Sequence, residues 1–135
     1  MITEERAVEV DVDRIALLKY LYDERNSPQL WAIVKEVQPI GEDEYTATVQ
    51  LPGVPVPLAK VLVRKSLNVD GVIHEGHSNS PRLLLRLSVF LLGRRCVLRA
   101  EYEGPMEYFA RRFLRNLLAG SAKKLEEVSR ELART

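Results

Sequence analysis

The sequence predicts an α+β fold, an antiparallel sheet with helices on one of its faces. Three observations predict it: one strand opens the chain, about six strands follow one another in the middle, and one long helix ends it. Strands that are grouped together, with the helices kept apart from them, are typical of this class. An antiparallel sheet of that many strands twists and curls, so we expect a curved sheet.

The bulk composition indicates one globular domain over residues 1–135. Hydrophobic residues make up 46% of the 135 residues, and the formal net charge is +1, so neither disorder nor a general attraction to nucleic acid is expected. The single cysteine, Cys96, excludes an internal disulfide and favours a reducing cytoplasm. The charged start "MITEERAVEV" is unlike a signal peptide, and "LLLRLSVFLLG" is too short to span a bilayer.

The first third of the chain predicts a strand and two short helices. "RAVEVDV" alternates with Val8, Val10 and Val12 on one face, which is typical of a strand. Asp11 or Asp13 is a candidate N-cap for the next helix. "PQLWAIV" predicts a second short helix that begins at Pro28. The apolar side of the first helix comprises Ile15, Leu17, Leu18, Leu21 and Tyr22.

The middle of the chain has the period of two that strands require. "KEVQPI" and "EYTATVQL" flank a turn at "GED", and "PGVPVP" is typical of an irregular connection. "AKVLVRKSLNV" and "VIHEGHS" flank Asp70-Gly71, a strong hairpin signal, and a further hairpin is predicted at Gly93. The buried face of the strand "EYTATVQL" includes Tyr45, Ala47, Val49 and Leu51.

The last third predicts a helix from Gly104-Pro105 to about Leu132. Because glycine inside a helix costs roughly 1 kcal/mol relative to alanine, we expect a bend or a close approach at Gly120. The predicted apolar stripe of the helix consists of Met106, Phe109, Phe113, Leu114, Leu117, Leu118, Leu125 and Val128.

Taken in this order, the elements resemble those of the START-related helix-grip superfamily (SRPBCC), and within it the group of carbon monoxide dehydrogenase accessory proteins and polyketide cyclase-like proteins. The resemblance lies in "LYDERNSPQLWAIVKEVQPIGEDEYTATVQL" and in "LRAEYEGPMEYFARRFLRNLLAGSAKKLEEVSREL". It implies a sheet of about six or seven strands wrapped around the terminal helix, with two short helices after the first strand. It also implies an apolar cavity between sheet and helix, as in relatives that bind lipids, sterols or polyketides.

The Asp70-Gly71 hairpin places two polar residues on the concave side of the sheet. A two-residue turn pairs Leu67 with His74 and Lys65 with Gly76, on the face that also holds Val61 and Val63. Lys65 and His74 would then orient a mostly apolar ligand. The alternative is that Lys65 reaches the rim and His74 bonds to backbone.

Further candidates lie around the same predicted cavity. Tyr45 and Tyr102 could present hydroxyl groups inward, and Trp31 lies where the resemblance implies the cavity mouth; ordinary core packing explains each of them as well. "HEGH" invites a metal site, but His74 and His77 point to opposite faces of a strand, so no metal or cofactor is predicted. The predicted ligand-binding residues are Tyr22, Trp31, Tyr45, Lys65, His74, Leu98, Tyr102, Phe109 and Phe113.

These observations favour the binding of a small hydrophobic or lipid-like molecule. A cyclase or hydrolase with His74 or Lys65 as general base is one alternative. The other, implied by the likeness to carbon monoxide dehydrogenase accessory proteins, is an accessory protein that helps to assemble a larger redox enzyme complex and so has a protein partner. Arg111, Arg112 and Arg115 could meet phosphate or an acidic partner, although the mixed charges of the terminal helix are typical of a solvated surface.

Overall fold

A sheet of seven strands and one long helix make up most of the chain that the computed structural model describes, residues 1–52 and 58–134. The predicted α+β class is confirmed, including the two short helices after the first strand. The helices are α1 (Arg14–Tyr22), α2 (Ser27–Leu30) and α3 (Ala110–Ala133), with a 3-10 turn at Glu24–Asn26. The strands are β1 (Ile2–Glu9), β2 (Val34–Pro39), β3 (Glu44–Gln50), β4 (Leu58–Leu67), β5 (Gly71–Asn79), β6 (Arg82–Leu92) and β7 (Arg95–Glu103).

The strand order β1-β7-β6-β5-β4-β3-β2 brings the first strand beside the last, and all pairs are antiparallel. Every strand therefore reverses direction relative to its neighbour. The β2–β3, β4–β5 and β6–β7 turns lie at the end of the sheet where β1 leads into α1, which we call the α1 end. The β5–β6 turn and the start of α3 lie at the opposite end, which we call the hinge end.

The terminal helix packs mainly over β1 and β7, through a buried face that includes Leu114, Leu118 and Leu125. The predicted stripe is wrong at its start, because Met106 is 39% exposed and Phe109 is 50% exposed. Met106 has a φ of 61° and leads into a 3-10 turn, so the helix begins only at Ala110. The side chains of Met106, Tyr108 and Phe109, just before that residue, are therefore exposed.

The hinge before α3 depends on a glycine. Gly104 has a φ of 155°, and a Cβ there would lie 2.7 Å from the Cβ of Leu83. A side chain fits neither that backbone conformation nor that space. The Gly104-Pro105 break that the sequence predicts is therefore a steric requirement of the fold.

The predicted register of the β4–β5 hairpin is wrong by two residues. Leu67 pairs with Val72, and Lys65 pairs directly with His74. The cause is Asn68, whose side-chain oxygen accepts hydrogen bonds of 3.0 Å from the backbone amides of Asp70 and Gly71 and closes a longer loop. Because the shift is an even number of residues, every side chain stays on its predicted face.

The first strand also differs from its prediction, since β1 spans Ile2–Glu9 rather than residues 6–12. Its pairing ends where β7 begins, with Glu9 opposite Arg95, so Val10 and Val12 lie beyond the ladder and are only half-buried. The hairpin at Gly93 and the buried face of β3 are confirmed. Most of "PGVPVP" lies outside the described residues. No helix within residues 1–52 or 58–134 is long and apolar enough to cross a membrane.

The close approach predicted at Gly120 is wrong. Gly120 is exposed on α3, and a Cβ built there meets no atom within 4 Å. The neighbouring Ser121 and Ala122 face the core instead. Gly120 thus weakens the helix without a compensating contact.

We expect Gly120→Ala to raise the free energy of unfolding by about 1 kcal/mol, because alanine has the higher helix propensity and the site is open. Urea unfolding followed by circular dichroism measures the change. Gly71→Ala is the control, since its Cβ would lie 2.0 Å from the carbonyl oxygen of Val89, and it should destabilise the protein. A Gly120→Ala variant no more stable than the parent contradicts this account of the helix.

Candidate functional site

The space between the sheet and α3, where the sequence places a ligand, is filled by side chains. A cavity of about 20 Å³ lies on the buried face of β2–β6, lined by residues such as Tyr45, Val61, His74 and Leu87 and by none of α3. That volume suits about one water molecule. Leu98, Leu114 and other core side chains have no exposed surface.

A much larger space lies at the α1 end of the molecule. It is a groove of about 680 Å³, within the roughly 300–1,000 Å³ usual for small-molecule sites. We call it the α1 groove. Its lining residues are Ile15, Leu18, Lys19, Tyr22, Asp23, Glu24, Arg25, Pro39, Lys65 and Leu67.

The groove exists because α1 has apolar residues on two faces. Leu17 and Leu21 are buried in the core, whereas Ile15, Leu18 and Tyr22, at spacings of three and four, line the groove. Ile15 is 63% exposed and faces Leu67 of β4, which is 55% exposed. Apolar surface of this kind, enclosed by polar residues, is typical of a binding site.

Two contacts hold the start of α1 in position. The side chain of Asp13 caps the helix by accepting a hydrogen bond of 3.0 Å from the amide of Ala16. The guanidinium group of Arg14 donates to the carbonyl oxygens of Leu91, at 3.1 Å, and Val69. The helix is therefore fastened to the β4–β5 turn and to the end of β6, which fixes one wall of the groove.

A buried ion pair forms part of the groove floor. The ammonium group of Lys65 donates to the Glu24 carboxylate at 2.6 Å and to the carbonyl oxygen of Tyr22 at 3.1 Å. The side chains of Lys65 and Glu24 are only 7% and 11% exposed. The ammonium group also lies 4.1 Å from the centre of the Tyr22 ring. The pair joins the turn after α1 to strand β4.

The other side of Tyr22 ties α1 to the β2–β3 turn. Its hydroxyl group donates to the carboxylate of Asp43, and this hydrogen bond is the main reason that the pKa of Tyr22 is raised to about 12. Asp43 also accepts, through its backbone carbonyl, a hydrogen bond of 2.9 Å from the amide of Lys65. Tyr22 thus lies between two anchored elements.

His74 lies below the groove with both ring nitrogens occupied. Nε2 is 2.8 Å from the carbonyl oxygen of Leu21, which can only accept, so Nε2 carries the proton. In the neutral ring Nδ1 then accepts from the hydroxyl of Tyr45, also at 2.8 Å. Burial lowers the pKa of His74 and raises that of Tyr45 to about 12. The ring is therefore a neutral link between α1, β3 and β5.

The structure distributes the nine predicted residues over several places. Tyr22 and Lys65 line the groove, and Tyr45 and His74 line the small cavity beneath it. Trp31 and Leu98 are core residues, and Tyr102 donates a 2.5 Å hydrogen bond to Pro105 at the hinge end. Phe109 and Phe113 border a separate hollow on α3.

The sequence prediction missed the wall formed by Ile15, Leu18 and Leu67. A signal for it was present, because seven apolar residues in the eight positions 15–22 are more than one buried helix face requires. No cluster of three or more metal-ligating side chains occurs within residues 1–52 and 58–134. His74 is buried and His77 is exposed on the opposite face, as expected for "HEGH" in a strand.

Comparison with known proteins relates the chain to other proteins of the same fold. A protein-family model whose description reads only "-like:-like" matches residues 1–134. The fold neighbours include polyketide aromatase/cyclases, a STAR-related lipid transfer protein and an allergen of the Bet v 1 type, all of helix-grip architecture. The chain has the helix-grip fold of the START-related superfamily. The closer likeness to carbon monoxide dehydrogenase accessory proteins stays a prediction, and no curated protein sequence matches the chain.

Three solved structures illustrate the likeness of this helix-grip protein to its neighbours. A protein from Deinococcus radiodurans has 14% identity and a TM-score of 0.70, with 97% of this chain and 96% of that chain covered. The Zhui aromatase/cyclase from a Streptomyces species has 12% identity and a TM-score of 0.61, with 98% and 93% covered. A STAR-related lipid transfer protein from Xanthomonas axonopodis has 13% identity and a TM-score of 0.63, with 95% and 85% covered.

We expect Lys65→Met to destabilise the helix-grip protein by about 3–5 kcal/mol, because it leaves the Glu24 carboxylate buried without its partner. The double variant Lys65→Met/Glu24→Leu should recover most of that loss. Urea unfolding of the parent, both single variants and the double variant gives the coupling energy. Additive effects of the two substitutions would show that the pair does not act as a unit.

The stability of the protein should fall as the pH decreases from 7 to 5. Because burial lowers the pKa of folded His74 below its ordinary value of 6.5, the unfolded chain takes up a proton that the folded chain does not. The stabilisation is therefore complete above pH 6.5 and lost below it, by at most about 1.4 kcal/mol per pH unit. Urea unfolding at several pH values measures the slope.

Two variants test whether His74 causes this dependence of stability on pH. His74→Gln should lower the overall stability but flatten the dependence between pH 7 and 5. His77→Gln, on the exposed face of the same strand, should keep the slope of the parent. An unchanged slope in His74→Gln would place the titrating group elsewhere.

Proposed function

We propose that the protein binds a small hydrophobic or lipid-like molecule in the α1 groove, rather than between the sheet and α3. The supporting observation is the groove itself, a space of about 680 Å³ walled by Ile15, Leu18, Tyr22 and Leu67. The interior cavity of about 20 Å³ offers no comparable room. Each 100 Å² of apolar ligand surface removed from water contributes about 2.5 kcal/mol.

The polar groups of the groove would orient such a ligand. Lys65 and Glu24 sit at the floor as a closely paired cation and anion, so the apolar body would lie along α1 with a polar group near the pair. Lys19 lines the same groove and has no ion pair within the described part of the chain. It is suited to a polar head group at the open end.

The family likeness supports binding of an apolar molecule in general terms. One structural neighbour is, by its name, a lipid transfer protein, and another is an aromatase/cyclase. At identities of 12–13% these likenesses concern the fold, and the groove residues of this chain carry the proposal.

Binding has more support than catalysis by the two candidate bases. Both nitrogens of His74 are engaged, by Tyr45 and by the carbonyl oxygen of Leu21. The ammonium group of Lys65 is held by Glu24 and the carbonyl oxygen of Tyr22. A general base needs a free lone pair within reach of its substrate, and neither residue has one in this arrangement.

We expect Leu67→Asp to weaken binding of the apolar dye N-phenylnaphthylamine by about tenfold, because it places a charge in the groove wall. Dye fluorescence on titration with protein measures the affinity. Leu92→Asp is the matched control: both leucines are 55% exposed at strand ends, but Leu92 is not part of the groove. Circular dichroism verifies that both variants are folded.

The outcome separates the groove from other sites. Weakening in Leu67→Asp alone supports the proposal. Equal weakening in both variants indicates non-specific adsorption of the dye, and no binding by the parent protein contradicts the proposal. Native mass spectrometry of the freshly purified protein would then identify any molecule that it retains.

A further inference from the structure

The start of α3 displays aromatic side chains that the core does not use. Tyr108 is 92% exposed and Phe109 is 50% exposed. Their rings pack edge to face with centres 5.2 Å apart, and Met106 beside them is 39% exposed. Every other aromatic residue of the chain is buried or half-buried. We call Met106, Tyr108, Phe109 and the arginines described next the Tyr108 patch.

Three arginines follow these residues on the exposed side of α3. Arg111 and Arg115 both donate to the carboxylate of Glu4, so that two guanidinium groups share one negative charge. Arg112 makes no ion pair or side-chain hydrogen bond within residues 1–52 and 58–134. A hollow of about 490 Å³ lies among these side chains and the two phenylalanines, Phe109 and Phe113. These three arginines and Glu4 together carry a net charge of +2.

This arrangement does not serve the stability of α3. The N-terminal end of a helix carries partial positive charge, so acidic residues stabilise it and basic residues do not. The first turn of α3 nevertheless has no acidic residue and no side-chain cap, and Glu107 in the preceding 3-10 turn is paired with the N-terminal ammonium group at 3.8 Å. An exposed Tyr-Phe pair likewise leaves apolar surface in water. A partner that is both apolar and negatively charged would compensate both features.

We propose that the Tyr108 patch docks on the surface of a membrane that contains anionic lipids. Tyrosine suits the boundary of a bilayer, with its ring among the acyl chains and its hydroxyl at the head groups. Arg112 and the incompletely neutralised Arg111 and Arg115 face the lipid phosphates. The patch lies at the hinge end and the α1 groove at the other, so this inference stands independently of the proposed ligand site.

The bilayer fits better than the other anionic macromolecule, a nucleic acid. Nucleic-acid binding is driven by many phosphate contacts along an extended basic track. Here the excess charge is small and confined to one end of one helix, and the chain as a whole has a net charge of only +1. The apolar part of the patch, projecting from the end of the molecule, matches a surface that it can enter.

Vesicle flotation with the full chain tests the proposal. The vesicles consist of phosphatidylcholine alone or with roughly one quarter phosphatidylserine, since each basic residue near an anionic surface adds measurable binding. We expect the protein to float with the anionic vesicles, and to do so less at about 0.5 M salt than at about 0.05 M salt. Tyr108→Ser should lower the partition coefficient about fivefold or more on both kinds of vesicle.

A matched pair of variants tests how much the arginine charge contributes to vesicle binding. Arg112→Gln should lower partitioning about fivefold on anionic vesicles only. Arg130→Gln makes the same change at the other end of α3 and should have no effect. These residues are exposed, as is Tyr108, so thermal unfolding should be close to that of the parent in all three variants.

Three results would overturn the proposal. The first is failure of the parent to float with anionic vesicles. The second is an equal effect of Arg112→Gln and Arg130→Gln, which would show that binding depends only on the overall charge of the protein. The third is evidence for another occupant of the patch. Such evidence would be a dimer in solution that Tyr108→Ser dissociates, or a single-stranded oligonucleotide that the parent binds more tightly than vesicles and that Arg112→Gln no longer binds. Either result would assign the patch to another occupant.

Discussion

The ion pair between Lys65 and Glu24 is the interaction on which the candidate site depends. It joins the turn after α1 to the middle of the sheet, and at 2.6 Å with both side chains nearly buried it has little freedom. The same ammonium group holds the carbonyl oxygen of Tyr22, the last residue of α1. Burying two charges has a high desolvation cost, which the fold offsets only while both partners stay in place. That requirement keeps α1 at a fixed distance from β4 and so keeps the groove between them open.

A second polar link, through His74, lies in the closed interior beneath the open groove. His74 lies directly opposite Lys65 in the β4–β5 ladder and connects Leu21 of α1 to Tyr45 of β3. Leucine, valine and tyrosine side chains fill the core, and the cavity on the buried face of β2–β6 measures only about 20 Å³. In this protein, therefore, the helix that gives the fold its name covers a packed core. The exposed apolar surface lies instead on α1. No element of the described chain covers the second apolar face of that helix.

The two ends of the sheet differ in the chemistry that they display. The α1 end combines aliphatic side chains with paired charges, which suits an apolar molecule that carries a neutral or weakly polar group. The hinge end combines aromatic side chains with arginines in excess, which suits a surface that is apolar and anionic. Both regions lie at ends of the sheet, where turns and helix ends come together.

The sequence by itself determined the fold class, the positions of the hairpins and the buried faces of β3, β4, β5 and β7, because the period of two in these strands and the Gly104-Pro105 break are local signals. It also placed Lys65 and His74 on the buried face. Tertiary structure decided what those residues do, since Glu24, Leu21 and Tyr45 are 29 to 53 residues away from their partners along the chain. It decided the β4–β5 register through Asn68, the late start of α3 through Met106, and the exposure of Phe109. Above all it decided that side chains fill the core and that the open space lies beside α1, because a pattern of apolar residues shows which faces avoid water but not how much volume the side chains on facing elements leave between them.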